Sequence, residues 1–344
     1  MNTPFRFLLA FVFVVMGNFA SAEEHALDHF YIAPPEPQTS AKALHDKKYP
    51  LPEHTVRAWV EQSMPAYTLA PFNPDHPATK RLLLDAPPHQ VAVNRTVAHE
   101  AAALFDFSGT DGTRDRYLAS IISTGAHALR LQVNLMGLRS GDTLWLLDAQ
   151  GDAAFGPYTI ETAKEHGQWL PVTIGDAAVL ALESADDMLP LLTVLQVAHF
   201  YKPIADKQSL DPLRCNIPIA QETNTTAQEI SAAVGRLLVP FSNGQGLCTT
   251  TLLNSEKRTA GAPTPYLISA WHCFGDDVDY DSLTVFWDYR SPNPDGSDVP
   301  DLYDCFWNMG AKLLDHSFPL DAALLQLNAQ PSVGPYGRAW VGWD

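Results

Sequence analysis

The sequence predicts an all-β protein in two parts, the first of them a β-sandwich, and three observations predict it. From Tyr117 onward, short apolar runs recur between turn signals at roughly the 8–12-residue spacing of small all-β folds. All four cysteines, Cys215, Cys248, Cys273 and Cys305, fall in the last third of the chain, so the two parts stabilise themselves by different means. Between those parts, Lys202 to Pro212 is polar, carries two prolines and shows no periodic apolar pattern, as a domain boundary near residues 205–214 requires.

The elements follow in order. Glu23 to about Ala98 is proline-rich with little sustained periodicity, and is expected to wrap or extend over its surroundings. Leu129, Leu131, Val133 and Leu135 alternate as a half-buried strand does, and Gly137 to Gly141 breaks the run. Further strands are expected at Thr143–Leu147, around Tyr158–Ile160, and at Leu170–Ile174, Val179–Leu182 and Leu192–Phe200, with a turn at Asp148–Gly151. In the cysteine-bearing part, Ala232–Val239 reads as a strand, Gly244–Gly246 as a turn feeding Leu247–Leu253, and Tyr266–Ser269 as a strand that ends at Ala270-Trp271-His272-Cys273.

Charge and targeting narrow the function. Lys+Arg 22 against Asp+Glu 39 gives a net charge of −17, a field that repels phosphates and anionic headgroups and argues against a nucleic-acid partner. Phe7 to Met16 is an apolar run behind a short basic start, with small residues at Ala20 and Ala22. This predicts a signal peptide over residues 1–22, cleaved after Ala22. No later run approaches the roughly 18–20 apolar residues of a membrane helix, so the product is expected in the extracellular space or periplasm, without a membrane partner after cleavage. In an oxidising compartment the cysteines are disulfide candidates before they are metal ligands.

In the first part His127, His166 and His199 are scattered, none in a spacing that would converge ligands or pair with a nucleophile, and they are read as surface or packed residues. His272 differs, because it sits at a strand end beside Cys273, where a covalent anchor would hold a general base in place. The segment Ser269-Ala270-Trp271-His272-Cys273 resembles the Thr-Ala-Ala-His-Cys motif of trypsin-like serine proteases with the chymotrypsin fold, and more narrowly of the bacterial lysyl endopeptidases. Cys215-Asn216-Ile217, Ala232–Gly235, Phe286-Trp287-Asp288-Tyr289 and Ala339–Asp344 are similar to further segments of that family, in the same order. Leu320-Asp321-Ala322-Ala323-Leu324-Leu325 resembles the segment that supplies its aspartate.

The resemblance implies that residues 211–344 are a partial trypsin-like domain, the first β-barrel of a chymotrypsin-like fold with the second missing. Residues 23–210 then take the place of a propeptide, with the β-sandwich from about residue 100, in intramolecular contact with the protease part. His272 would be the catalytic histidine, Asp321 the aspartate, and Cys248–Cys273 the disulfide beside them. Cys215 and Cys305 are left either to pair with each other or for one of them to be orphaned. Lys207 in the linker is a processing position, with cleavage after Arg214 as the alternative. No serine has the Gly-Asp-Ser-Gly-Gly surroundings of the family's nucleophile, so the chain as written is expected to be inactive toward its protein or peptide substrate. It reads as a truncated protease precursor, the alternative being a non-catalytic pseudoprotease that binds without cutting.

No cofactor and no metal is expected. Adjacent His272 and Cys273 suit a tetrahedral zinc site poorly. Asp277, Asp279, Asp281 and Asp288 fall at positions of a calcium loop, but Ser282 replaces its glycine, so a solvated acidic loop is the better reading.

Overall fold

The structure, a computed structural model, describes residues 31–33, 50–76, 79–80, 83, 89–111, 114–186, 188–204, 218–259 and 262–342. Along the first part run β1 (Tyr31–Ala33), helix α1 (Glu53–Val60), β2 (Ala66–Thr68), β3 (Gln90–Glu100), β4 (Asp106–Asp111), β5 (Arg114–Ile122), β6 (Ala128–Asn134), β7 (Thr143–Asp148), β8 (Ala154–Tyr158), β9 (Gln168–Ile174), β10 (Ala177–Ser184) and β11 (Thr193–Phe200). Along the second run α2 (Thr225–Ile230), β12 (Val234–Pro240), β13 (Gly244–Leu253), β14 (Arg258–Thr259), β15 (Ala262–Pro263), β16 (Tyr266–Ser269), β17 (Thr284–Trp287), β18 (Phe306–Met309), β19 (Ala311–Ser317), β20 (Ala322–Leu327) and β21 (Arg338–Trp340). The all-β class expected from the strand spacing is the class observed.

Two sheets face each other in the first part. One has the order β2-β5-β10-β7-β8 with β4 on β5, and the other contributes β3-β11-β6-β9. Leu129, Leu131 and Val133 of β6 meet Ile121, Leu146 and Leu180 of the opposite sheet in one buried core, as their period-two alternation requires. The outer face of the first sheet is also covered, because Val56 and Trp59 of α1 pack on Leu118, Trp145, Leu147 and Val179. That double burial explains why β7 and β10 read as continuous apolar runs instead of alternating.

In the second part, β18-β17-β12-β13-β16-β20-β19 curl around a core that includes Leu237, Leu252, Leu267, Trp287, Leu325 and Trp340. β18 runs into β19 through Gly310, whose φ of +89° turns the chain so that the two ends of the arc are joined. β1 pairs antiparallel with β21, and Ala33 is buried in this core.

Three expectations differ from what is observed. The proline-rich stretch before residue 98 contains α1 and β3, an eleven-residue strand that lies ahead of the sandwich start set at about residue 100. Residues 90–93 are buried on both faces, which removes the alternation that would have marked them. Gly244–Gly246 is not a turn but the start of β13, where a Cβ on Gly244 would stand 2.3 Å from the Ala92 carbonyl oxygen. Ile160 belongs to a single 3-10 turn after β8 and not to the strand. Ala22, Lys207, Arg214 and Cys215 lie outside the described residues.

The two parts are continuous through one seam. β13 pairs with β3 by Gly244↔Val93, Gln245↔Ala92 and Gly246↔Gln90, making one sheet of eleven strands. A shared core of Val91, Ala128, Trp169, Phe200, Leu238, Phe286 and Cys305 lies behind it. Across the seam reaches Arg130, fully buried on β6, which donates to Leu170 O at 2.7 Å, Gln245 Oε1 at 3.0 Å, Ser282 O at 2.6 Å and Thr284 Oγ1 at 3.2 Å. Burial pushes its guanidinium down to about 10, with nearby Asp279 and Tyr158 opposing, so it stays charged at neutral pH. Replacing Arg130 by Met would strip a donor from four buried acceptors, each worth about 1–3 kcal/mol when left unmet. Arg130→Met is expected to lose at least about 3 kcal/mol in urea unfolding, and a loss below about 1 kcal/mol would show that the seam does not depend on it.

Candidate functional site

Antiparallel pairing builds the site. β16 pairs with β20 by Tyr266↔Gln326, Leu267↔Leu325, Ile268↔Leu324 and Ser269↔Ala323. In such a register the chain leaving β16 and the chain entering β20 emerge from the same end. His272, three residues past Ser269, therefore meets Asp321, two residues before Ala323. The sequence keeps both strands in place with buried aliphatics: Leu267, Leu325 and Leu327 enter the second core. Thr250 donates to Ile268 O at 2.9 Å and Ser269 to Thr249 O at 2.7 Å, fastening β16 to β13 by side chains as well.

Asp321 closes the four-residue loop between β19 and β20, its backbone N–H donating to Phe318 O at 3.1 Å. Its φ is +47°, in the left-handed region, which Asp tolerates better than most side chains. The same residue thus supplies the turn geometry and the carboxylate. His272 sits in a 3-10 turn, Trp271–Cys273. Its backbone N–H donates to Asp321 Oδ1 at 2.8 Å, and its ring Nδ1 lies 2.6 Å from Asp321 Oδ2. An ionised carboxylate can only accept, so Nδ1 carries the proton and the lone pair of a neutral ring is left on Nε2. The imidazole side chain is 65 % exposed and the carboxylate 51 %. The hydrogen bond from the His272 ring, then that from its backbone N–H, hold the Asp321 carboxyl below the usual carboxylate range.

Two further features hold the turn. A disulfide joins Cys248 in β13 to Cys273, 25 positions later in the sequence, with Cα atoms 6.1 Å apart. On the other side, the Trp271 indole stacks on His316 of β19 with centroids 3.9 Å apart and planes 23° apart. Cys248, His272 and Cys273 bring three potential ligand atoms within 4.8 Å, but both sulfurs are bonded to each other and only the imidazole could hold a metal. The calcium-loop residues diverge: Asp277 bonds Ser242, Asp281 faces Lys164 at 3.5 Å, and Asp288 forms a buried pair with Arg338 at 2.9 Å. Cys305 is buried in the seam core, far in topology from the disulfide.

Among the histidines read as packed or on the surface, His199 is wholly buried with Nδ1 2.8 Å from Ser123 Oγ, which also receives a hydrogen bond from Arg95 at 2.8 Å. Burial first, then the charges of Arg95 and His127, pull its pKa down to about 4, so it is a neutral core residue. Sequence reasoning missed His89, whose ring centroid lies 6.3 Å from that of His272. The only signal for it was its place just before the alternating Val91 and Val93.

Removing the imidazole should release the carboxylate. In His272→Ala, the Asp321 carboxyl is expected to titrate above its native position in carbon-detected NMR, the backbone N–H of residue 272 remaining as a donor. Since its folded value is the lowered one, its contribution to stability is present above the unfolded value and lost as pH falls through the folded value. An unchanged titration would contradict the pairing. Converting both Cys248 and Cys273 to Ala opens a 25-residue loop and is expected to cost about 3–4 kcal/mol in denaturant unfolding; no measurable loss would show that strand pairing alone fixes the turn.

Comparison with known families places one segment. Residues 211–344 match the family model described as lysyl endopeptidase, C-terminal domain. No curated protein and no solved structure matches the chain. No helix among the described residues is long and apolar enough to cross a membrane. The matched segment contains His272, Asp321 and the disulfide.

Proposed function

We propose that the chain is the precursor of a secreted serine endopeptidase of the lysyl endopeptidase type, exported by a signal peptide cleaved after Ala22. In this reading residues 23–210 are propeptide-like and residues 211–344 hold the general-base half of a Ser-His-Asp triad. The observation that carries it is the His272–Asp321 pair, with Nδ1 bonded to the carboxylate at 2.6 Å and the imidazole side chain 65 % exposed.

Each residue has a definite task. As a serine hydroxyl attacks the scissile carbonyl, His272 Nε2 takes its proton, and the imidazolium later returns that proton to the leaving amine. Asp321 keeps the ring in the Nδ1–H tautomer and stabilises the imidazolium while it lasts. The disulfide and the strand register supply the rigidity, since a base displaced by about 1 Å loses roughly a hundredfold in rate. Among the described residues no hydroxyl is hydrogen-bonded to His272. The proposal therefore gives this chain the base and its orienting carboxylate, and gives it neither the nucleophile nor the oxyanion donors, each of which contributes about 2.7–4 kcal/mol in related chemistry.

The 344-residue chain by itself is expected to turn over no lysyl or arginyl ester and to take up no serine-directed fluorophosphonate; labelling at any of its serines would contradict the incomplete triad. The endopeptidase reading is tested on the protein secreted from its own gene. Peptide hydrolysis after basic residues that falls about 10⁴-fold in kcat for Asp321→Asn supports it. A secreted product that cleaves no peptide would replace it with the non-catalytic binding reading.

A further inference from the structure

β13 is paired along one edge by β12, while its other edge is shared end to end by two strands. β3 takes its start, at Gly244–Gly246, and β16 takes its end, at Thr251–Leu253. Both partners run antiparallel to β13, so the beginning of β3 and the departure from β16 converge on the stretch Leu247–Thr250 between them. His89 enters this gap from one side and His272 from the other. That register, and no chance of side-chain length, brings the two rings to 6.3 Å.

His89 is fitted to the gap. Its carbonyl accepts the Leu247 N–H at 2.9 Å, adding one more rung to the seam. Its ring lies 5.8 Å from Phe241 and over Gly246, where a Cβ would stand 2.5 Å from His89 Cδ2. Its Nε2 is buried without a hydrogen-bond partner. An imidazole in such a seat is tolerated when neutral; protonated, it would bring a second donor and a positive charge with no acceptor to receive them. Among the described residues, the groups set against it give no compensation. His272 faces it from the 271–273 turn, with its own Nδ1 engaged by Asp321. Phe241 and Gly246 offer no charge, and from the chain after β11 Tyr201 and Lys202 bond the neighbouring Gln90 carbonyl as donors, Lys202 adding a further positive charge.

We propose that His89 is a pH-sensitive latch by which the N-terminal part covers one side of His272: neutral, it seats residues 89–90 against β13, and protonated, it releases them. Burial first and the His272 charge second lower the His89 pKa. A group whose docked value lies below its free value favours docking above the free value, about 6.5, and docking weakens as pH falls from there toward the docked value. The latch concerns the same site as the peptidase reading and uses its assignment of His272 as the base, but its operation needs no catalysis.

The test is amide hydrogen exchange on the full chain between pH 7.5 and 5, corrected for intrinsic rates. The Leu247 amide reports the His89 rung, and Leu238, buried in β12, is the control. Protection of Leu247 relative to Leu238 is expected to fall below about pH 6.5 by up to tenfold per pH unit, the slope of one proton. In His89→Leu the profile is expected to be flat with pH. In His272→Ala the loss at pH 5 is expected to be smaller than in wild type, because one of the two causes of the lowered value is gone. A flat wild-type profile, a His89→Leu profile as steep as wild type, or an undiminished loss in His272→Ala would each overturn the latch. Should His89→Leu fail to seat at any pH, the His272→Ala comparison alone decides. Since exchange is read without turnover, failure here and failure of the peptidase reading are separate results.

Discussion

The site depends on the sharing of one edge of β13. A strand edge carries a fixed number of N–H and C=O groups, and here β3 satisfies its first residues and β16 its last. Once β16 is placed, its pairing with β20 leaves no freedom in where residues 272 and 321 emerge. The disulfide, the stacked Trp271–His316 pair and the two hydrogen bonds to Asp321 then fix a turn whose position the backbone has already set. A slip of one residue between β16 and β20 would turn Leu267 and Leu325 out of the core and separate the histidine from its carboxylate, so hydrophobic burial and site geometry enforce the same register.

The same edge makes the first part of the chain an integral layer of the second. β3 closes the sheet, Arg130 crosses it with four donated hydrogen bonds, and Tyr303 donates to Asp148 at 2.7 Å while accepting the Ile174 N–H at 2.7 Å. β1 reaches further still, to the far edge at β21. Contacts of this kind combine buried polar groups with apolar packing, and an unmatched buried polar group is costly. His89 Nε2 is buried at the seam without a partner, and its ring stands beside that of His272.

What was legible in the sequence follows from what alternation and local motifs encode. Leu129, Leu131 and Val133 announced β6, and the strands from Thr143 to Phe200 fell close to their expected places, because each buries one face in the same core. His272 and Asp321 stood out through the residues that flank them, and the structure sets them 2.6 Å apart. Arg130 was not legible: within an alternating strand it occupies the position expected to face solvent, yet a second body of the fold covers that face. β3 was hidden for the same reason, since burial on both faces erases the period-two signal, and proline-rich surroundings suggested extended chain. His89 could not be found by pattern at all, because its neighbour His272 is 183 positions away and only the shared edge of β13 brings them together.

In the proposed reading His272 is held as a base, with its proton on Nδ1 and its lone pair on Nε2. Nitrogen-15 NMR of the imidazole at neutral pH measures this directly. The account predicts a strongly deshielded Nδ1–H and an unprotonated Nε2 in the native protein, with the Nδ1–H signal lost in Asp321→Ala. An Nε2–H tautomer, or an imidazole spectrum unaltered by Asp321→Ala, would contradict it.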